Sequence, residues 1–362
     1  MRARTRNGFT LIELMVAMAL TLFIMVILSQ AFVTALDTFS GMKGIGDMQY
    51  NLRTAMVMVR DDLSQDHFEG KRRLSDLTVT NSVELGAHHP QAGFFAMRRP
   101  TVPIGEGAAN GIVSFRAVDQ VIYMTVKRKG NRQESFFNAA LQGSAGDLGL
   151  FFSQQTAYDV PFADLPFSTQ TQPYSGGPTG FYASQWAEVL YFLIRTGSTE
   201  QPNDPTSTLG TPTYGLYRAQ FVMVPDGTNL ANKFSNEKIG TFTGISCNPA
   251  PGSLTLSFYS PEDAARGQRL IPDLAAFNPA DPPNRIRTGA TLVCPNVISF
   301  LVQSMLLPSD ATFGNLTGIY DTTKFGGVDG YSTVGLKGVQ VTLRVWDNRT
   351  RQTRQATLAQ DL

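Results

Sequence analysis

Three groups of residues in this chain have the types and spacing to do chemistry. The first is Glu13, a lone acid inside an apolar run that extends from Phe9 to about Leu36. A carboxylate at the centre of a membrane helix costs roughly 2.5–3.5 kcal/mol on insertion scales, so a residue of this kind has a task and a partner. The second group is Cys247 and Cys294, the two cysteines of the chain, each followed closely by proline. In an oxidising compartment a bridge between them would close a long loop and stabilise the fold by about 2–4 kcal/mol. That bridge is the preferred expectation, and two separate buried thiols are the alternative. Neither cysteine belongs to a Cys-x-x-Cys pair, which argues against redox catalysis and zinc. The third group is Asp321-Thr322-Thr323-Lys324-Phe325-Gly326-Gly327-Val328-Asp329-Gly330. Asp321 and Asp329 are oxygen donors of the type calcium takes, but two acids separated by a lysine fit a plain surface turn better.

Other catalytic arrangements are missing. The sequence has no HExxH, no GxSxG and no phosphate-cradling GxxxxGK[ST]. Its three histidines are His67, His88 and His89, and His88-His89-Pro90 reads as a surface loop. No enzyme activity, metal or cofactor is expected. The formal net charge is +1, and without Arg2, Arg4 and Arg6 the basic count falls from 30 to 27 against 29 acids, a balance of −2. No basic face is implied, so nucleic acid is not an expected partner.

The elements around Glu13 are distinctive. Met1–Gly8 is a short basic leader, and a glycine precedes the apolar run rather than following it. Three arginines before the run and no comparable cluster after it place the amino terminus in the cytoplasm and the bulk of the chain across the membrane. No second stretch approaches the roughly 20 apolar residues needed to span again. Beyond Leu36 the helical pattern continues to about Asp66, with Ile45, Met48, Leu52, Ala55, Val59 and Leu63 on one stripe. Gly41, Gly44 and Gly46 weaken this part, at about 1 kcal/mol each, and invite a bend. The stripe must cover either a β domain of the same chain or neighbouring helices.

After Gly70 the period changes to that of strands, expected at Val79–Leu85, Gly111–Val118, Gln120–Lys127, Glu188–Arg195, Gly215–Val224, Ser253–Tyr259 and Asn296–Leu306. Val189–Ile194 is continuously apolar and suits a strand buried on both faces. Val339–Trp346 alternates cleanly, Asp347–Thr350 is a turn, and Gln352–Leu358 returns as a closing hairpin. Arg99–Asn110, Pro161–Ser184, Gly197–Pro212, Pro225–Gly252, Pro261–Gly289 and Pro308–Gly335 read as loops.

Gly8-Phe9-Thr10-Leu11-Ile12-Glu13-Leu14-Met15-Val16-Ala17 resembles the class III signal of type IV prepilins and type II secretion pseudopilins. The resemblance implies cleavage after Gly8 by a prepilin peptidase and methylation of the new amino terminus at Phe9. It places Glu13 at the family's acidic position, five residues into the mature chain, where it sets register by meeting a neighbouring subunit's amino terminus. It implies an α+β ladle: residues 1–8 as leader, 9–36 as transmembrane helix, 37–66 as its amphipathic continuation, and 67–362 as a loop-rich antiparallel β domain. It also implies a single-pass protein of the bacterial inner membrane with a periplasmic head, later part of a pseudopilus or pilus. Membrane lipid, an inner-membrane assembly platform and other major and minor pseudopilins or pilins are the implied partners.

Asn51-Leu52-Arg53-Thr54-Ala55 with Arg60-Asp61-Asp62-Leu63, Gly215-Leu216-Tyr217-Arg218 and the late strand Val339–Asp347 are similar to J-type minor pseudopilins and W-type minor pilins. The chain is longer than a usual J-type protein, and Gly335-Leu336-Lys337-Gly338 replaces a frequent Leu-Pro. A different class remains open: a membrane-anchored or secreted envelope enzyme or binding protein with an ordinary signal. Cleavage after Val33-Thr34-Ala35 would then leave Leu36 first. An adhesin or DNA-uptake pilus component is a third possibility, its DNA version weakened by the near-neutral charge.

Overall fold

The structure is a computed structural model. It describes residues 10–69, 90–99, 104–109, 112–130, 132–142, 172–174, 177–224, 234–250, 252–306, 312–314, 318–323 and 335–362. Gly8, Phe9, Asp329, His88, His89 and the expected strand Val79–Leu85 lie outside these residues.

One helix, α1, runs unbroken from Leu11 to Ser64. Thr10 starts it with a capping box: its hydroxyl accepts from the Glu13 amide, and the Glu13 carboxylate accepts from the Thr10 amide at 2.9 Å. Two of the otherwise orphaned amides of the first turn are thereby satisfied. The helix stops at Gln65, whose backbone is extended, and Asp66 joins the sheet by pairing with Lys127. The three glycines do not break it. Gly44 serves packing instead: a Cβ there would lie 2.6 Å from an Asp347 carboxylate oxygen, so its missing side chain lets the β-hairpin turn approach the helix.

The strands, in chain order, are β1 (Phe95–Arg99), β2 (Ile104–Ala109), β3 (Ile112–Arg116), β4 (Val121–Lys127), β5 (Phe137–Gln142), β6 (Gln172–Tyr174), β7 (Gly177–Ser184), β8 (Trp186–Ser198), β9 (Pro212–Val222), β10 (Cys247–Pro249), β11 (Leu256–Phe258), β12 (Ala290–Leu306), β13 (Gly318–Asp321), β14 (Leu336–Asp347) and β15 (Gln352–Asp361). Eight form the main sheet in the order β13-β1-β4-β8-β9-β12-β14-β15. Every pairing in it is antiparallel. Smaller sheets pair β2 with β3, β10 with β11, and β7 with β5 on one side and β6 on the other.

The main sheet carries a core on each face. Val189, Tyr191 and Leu193 of β8 point into one, and Leu190 and Phe192 into the other. The expected doubly buried strand is therefore at the centre of the molecule. Met48, Leu52, Ala55, Val59 and Leu63 of α1 seal the first face, where the helix crosses β15, β14 and β12. The second face is roofed by Ala264 of α2 (Pro261–Ala265), by Leu270, Ile271, Leu274 and Phe277, and by Ile286 of α3 (Asn284–Gly289). This is a long apolar helix, half free and half packed, on a large antiparallel β domain: the expected α+β architecture.

Several expected loops are structured. Pro261–Gly289 forms the roof just described, because apolar residues spread among prolines can still fill a sheet's surface without forming a long regular element. Arg99–Asn110 contains β2, Pro161–Ser184 contains β6 and β7, and Pro308–Gly335 contains the edge strand β13. Pro225–Gly252 holds a 3-10 turn, Asn236–Phe242, and β10. Proline and glycine within these segments signal turns, and cross-strand pairing overrides that local signal.

Candidate assembly site

The free half of α1 sets the site. Among the described residues, α1 is the one helix long and apolar enough to cross a membrane, and that stretch is wholly unburied. Leu11, Phe23, Phe32 and Phe39 are all more than three-fifths exposed. Glu13 lies in the first turn of this half, exposed, with its carboxylate also taking the Thr10 hydroxyl at 3.1 Å. A negative side chain there complements the helix dipole.

The packed half is pinned to the sheet by ions as well as by its stripe. Asp62, only 2% exposed, takes two bonds from Arg218, Nε to Oδ2 at 2.6 Å and Nη2 to Oδ1 at 2.9 Å. The Tyr191 hydroxyl donates to the same carboxylate at 2.5 Å. Burial works against the Arg218 charge, and the bonds and charge of Asp62 outweigh it, holding the guanidinium above its ordinary pKa. Burial and the neighbouring carboxylate push the Tyr191 hydroxyl up, so it stays a donor. Sequence reasoning did not single out this triad. A signal existed: Asp62 stands three residues after Val59, within the apolar stripe, where a carboxylate needs a cation.

The other expected sites are occupied by structural contacts. Cys247 and Cys294 are both free and buried, so the expected bridge is not formed. They belong to different sheets, and each sulfur has its own neighbour. Arg285 Nη2 reaches the Cys247 sulfur at 3.0 Å, and Cys294 faces the Pro295 carbonyl at 3.6 Å. Burial pushes the Cys294 thiol up to about 12, and it raises that of Cys247 as well. Asp321 is engaged by protein groups, and Asp329 lies outside the described residues. Asp321 is 2% exposed and takes Arg269 Nη2 at 2.5 Å, together with the Thr323 amide and hydroxyl. Among the described residues no cluster of three or more His, Cys, Asp or Glu forms a metal site.

A second buried polar group surrounds Glu188. Its carboxyl takes the Tyr123 hydroxyl and the Ser246 hydroxyl, the latter at 2.5 Å. Burial pushes this carboxyl up, against the bonds from Ser246 and Tyr123. The nearby Arg269 guanidinium lies 4.4 Å from the Phe94 ring centre. Both Glu188 and Arg269 are sealed from solvent, so their role is to tie the roof to the sheet.

Residues 3–29 match the family description Prokaryotic N-terminal methylation motif. The chain carries a type IV pilin-like prepilin signal. This signal includes the Gly8-Phe9 junction and Glu13, and it leads directly into the free half of α1. A prepilin-type signal points toward a structural subunit, and the apolar helix that follows Gly8-Phe9 is compatible with a single-pass anchor. Comparison with curated proteins and with solved structures finds no match.

Proposed function

We propose that this chain is a minor pseudopilin or minor pilin subunit, cut after Gly8 by prepilin peptidase, methylated at Phe9, and assembled into a periplasmic pseudopilus or type IV pilus used in protein secretion or related envelope functions. The observation that carries this reading is the shape of α1. One helix, whose start lies within the methylation motif, leaves its first half bare and commits its second half to the head. A bare apolar half serves first as a membrane anchor and then as a packing surface for neighbouring helices. The head lies periplasmic and the leader cytoplasmic, as the arginines of the leader require.

Glu13 gives register in this reading. The amino-terminal ammonium of a neighbouring subunit, staggered by about one helical turn, meets its carboxylate. The partners are the peptidase, the assembly platform, membrane lipid and other major and minor subunits. The J-type or W-type assignment rests on the sequence resemblance of the segments that carry it, two of which meet through the Asp62–Arg218 pair. The size of the head favours a low-copy subunit near the fibre tip, since a wide head crowds a regular shaft.

The test is incorporation of the full chain into sheared fibres. Glu13→Ala should insert normally into the membrane and lose incorporation, and Glu13→Asp should recover part of it. Equal incorporation of wild type and Glu13→Ala would overturn the register role.

A further inference from the structure

The open edge of the main sheet has its own chemistry. β15 is the last strand, and its pairing with β14 runs without a register shift from Asp347↔Gln352 to Gly338↔Asp361. Its outer backbone groups form a straight row with no strand beside them among the described residues. Between this strand and α1 lies a groove of about 530 Å³. Leu52, Met56 and Leu358 give it an aliphatic floor, and Val57 stands exposed on the helix flank.

The rim is cationic. Arg53, Arg60 and Arg354 all line the groove and are exposed, and no aspartate or glutamate lines it. None of the three forms an ion pair among the described residues. Three uncompensated guanidiniums beside an open strand edge call for carboxylates on an extended backbone. Lipid headgroups are too far away: Arg53 stands about 25 Å along the helix beyond Leu36, several Debye lengths from a membrane surface. Single-stranded nucleic acid needs aromatic stacking platforms, and no aromatic side chain lines the groove.

We propose that this groove docks an extended, acidic segment of another protein, which adds as a further strand to β15 and sets its carboxylates against Arg53, Arg60 and Arg354. Alternate residues of the added strand face the groove, so its carboxylates flank an aliphatic side chain seated on Leu52 and Leu358. The surface exists on the full chain whether or not the leader is removed, so the proposal stands apart from the assembly reading.

The experiment places a photo-crosslinking amino acid at Val57 or Gln355 of the full chain in its native membranes, with the joined peptide mapped by mass spectrometry. Both positions should join the same acidic segment. R53E/R60E/R354E should lower the yield about tenfold, as three lost surface charge contacts would, at an unchanged amount of folded protein in the membrane. R53K/R60K/R354K should retain most of it. Adducts only to lipid or nucleic acid, adducts to a segment without acids, no adduct, or a yield indifferent to charge reversal would each overturn the proposal. The arginines would then serve only to guard the strand edge against aggregation.

Discussion

The two halves of α1 are one continuous helix in two different solvents. From Leu11 to Leu36 the surface is predominantly apolar around the helix, carries Glu13 as its one charge, and is exposed throughout. From Gly44 onward a single stripe is buried, and Arg53, Arg60 and Asp61 stay on the outside. The first half has no reason to exist in water, and the second has no reason to exist without the sheet. Composition separates an anchor from an adapter within one helix, with no break between them.

Mutations at matched positions should break or sharpen this contrast. The largest effect is expected at the ion pin. Asp62→Ala leaves the buried Tyr191 hydroxyl without its acceptor and the part-buried Arg218 without its carboxylate, so urea unfolding of the full chain in detergent should show a loss of about 3 kcal/mol. Arg53→Ala, on the exposed flank of the same half, should stay within about 0.5 kcal/mol. In the free half, Leu22→Arg should cost about 2.5–3.5 kcal/mol of membrane insertion, read as the fraction extracted by carbonate, and leave the head unchanged. Val57→Arg should have no effect on that fraction.

The glycines give an opposed pair of smaller size. Gly44→Ala drives a methyl into the Asp347 carboxylate, which the Thr350 amide and hydroxyl hold in place, and should destabilise by about 1–3 kcal/mol. Gly46 has open space around its missing side chain, so Gly46→Ala should stabilise by up to about 1 kcal/mol. Thermal melts of both variants would separate packing from helix propensity.

A pH dependence is expected where α1 hands over to the sheet. His67 is buried, with Nδ1 2.7 Å from the Thr125 carbonyl, and burial lowers its pKa. The unfolded chain therefore binds this proton more readily than the folded one. Stability is full above the unfolded value of about 6.5 and falls as the pH drops below it. His67→Gln should flatten that part of the stability–pH curve, and an unchanged slope would assign it to other groups.

The sequence made the packed stripe legible because Met48, Leu52, Ala55, Val59 and Leu63 repeat at helical spacing. The β14–β15 hairpin and the centre of β8 were legible for the same reason, a clear period or an unbroken apolar run. The roof over the second face was not, since Leu270, Leu274 and Phe277 stand four and three residues apart, yet Pro272 and Pro279 interrupt the segment and make it read as a loop. The pin escaped because Asp62 and Arg218 are 156 residues apart and only folding joins them. The bridge between Cys247 and Cys294 failed as an expectation because cysteine count says nothing about which sheet each sulfur enters. At the amino terminus the glycine, the aromatic, the acid and the apolar run are contiguous, so local sequence was sufficient to recognise the signal.

The central claim is that the chain is processed at Gly8 and handed to an assembly machine. Mass spectrometry of its amino terminus, from membranes of cells with and without prepilin peptidase, tests this most directly. The account expects a methylated Phe9 that disappears when the peptidase is absent. A terminus at Leu36, or an intact Met1 in both strains, would contradict it.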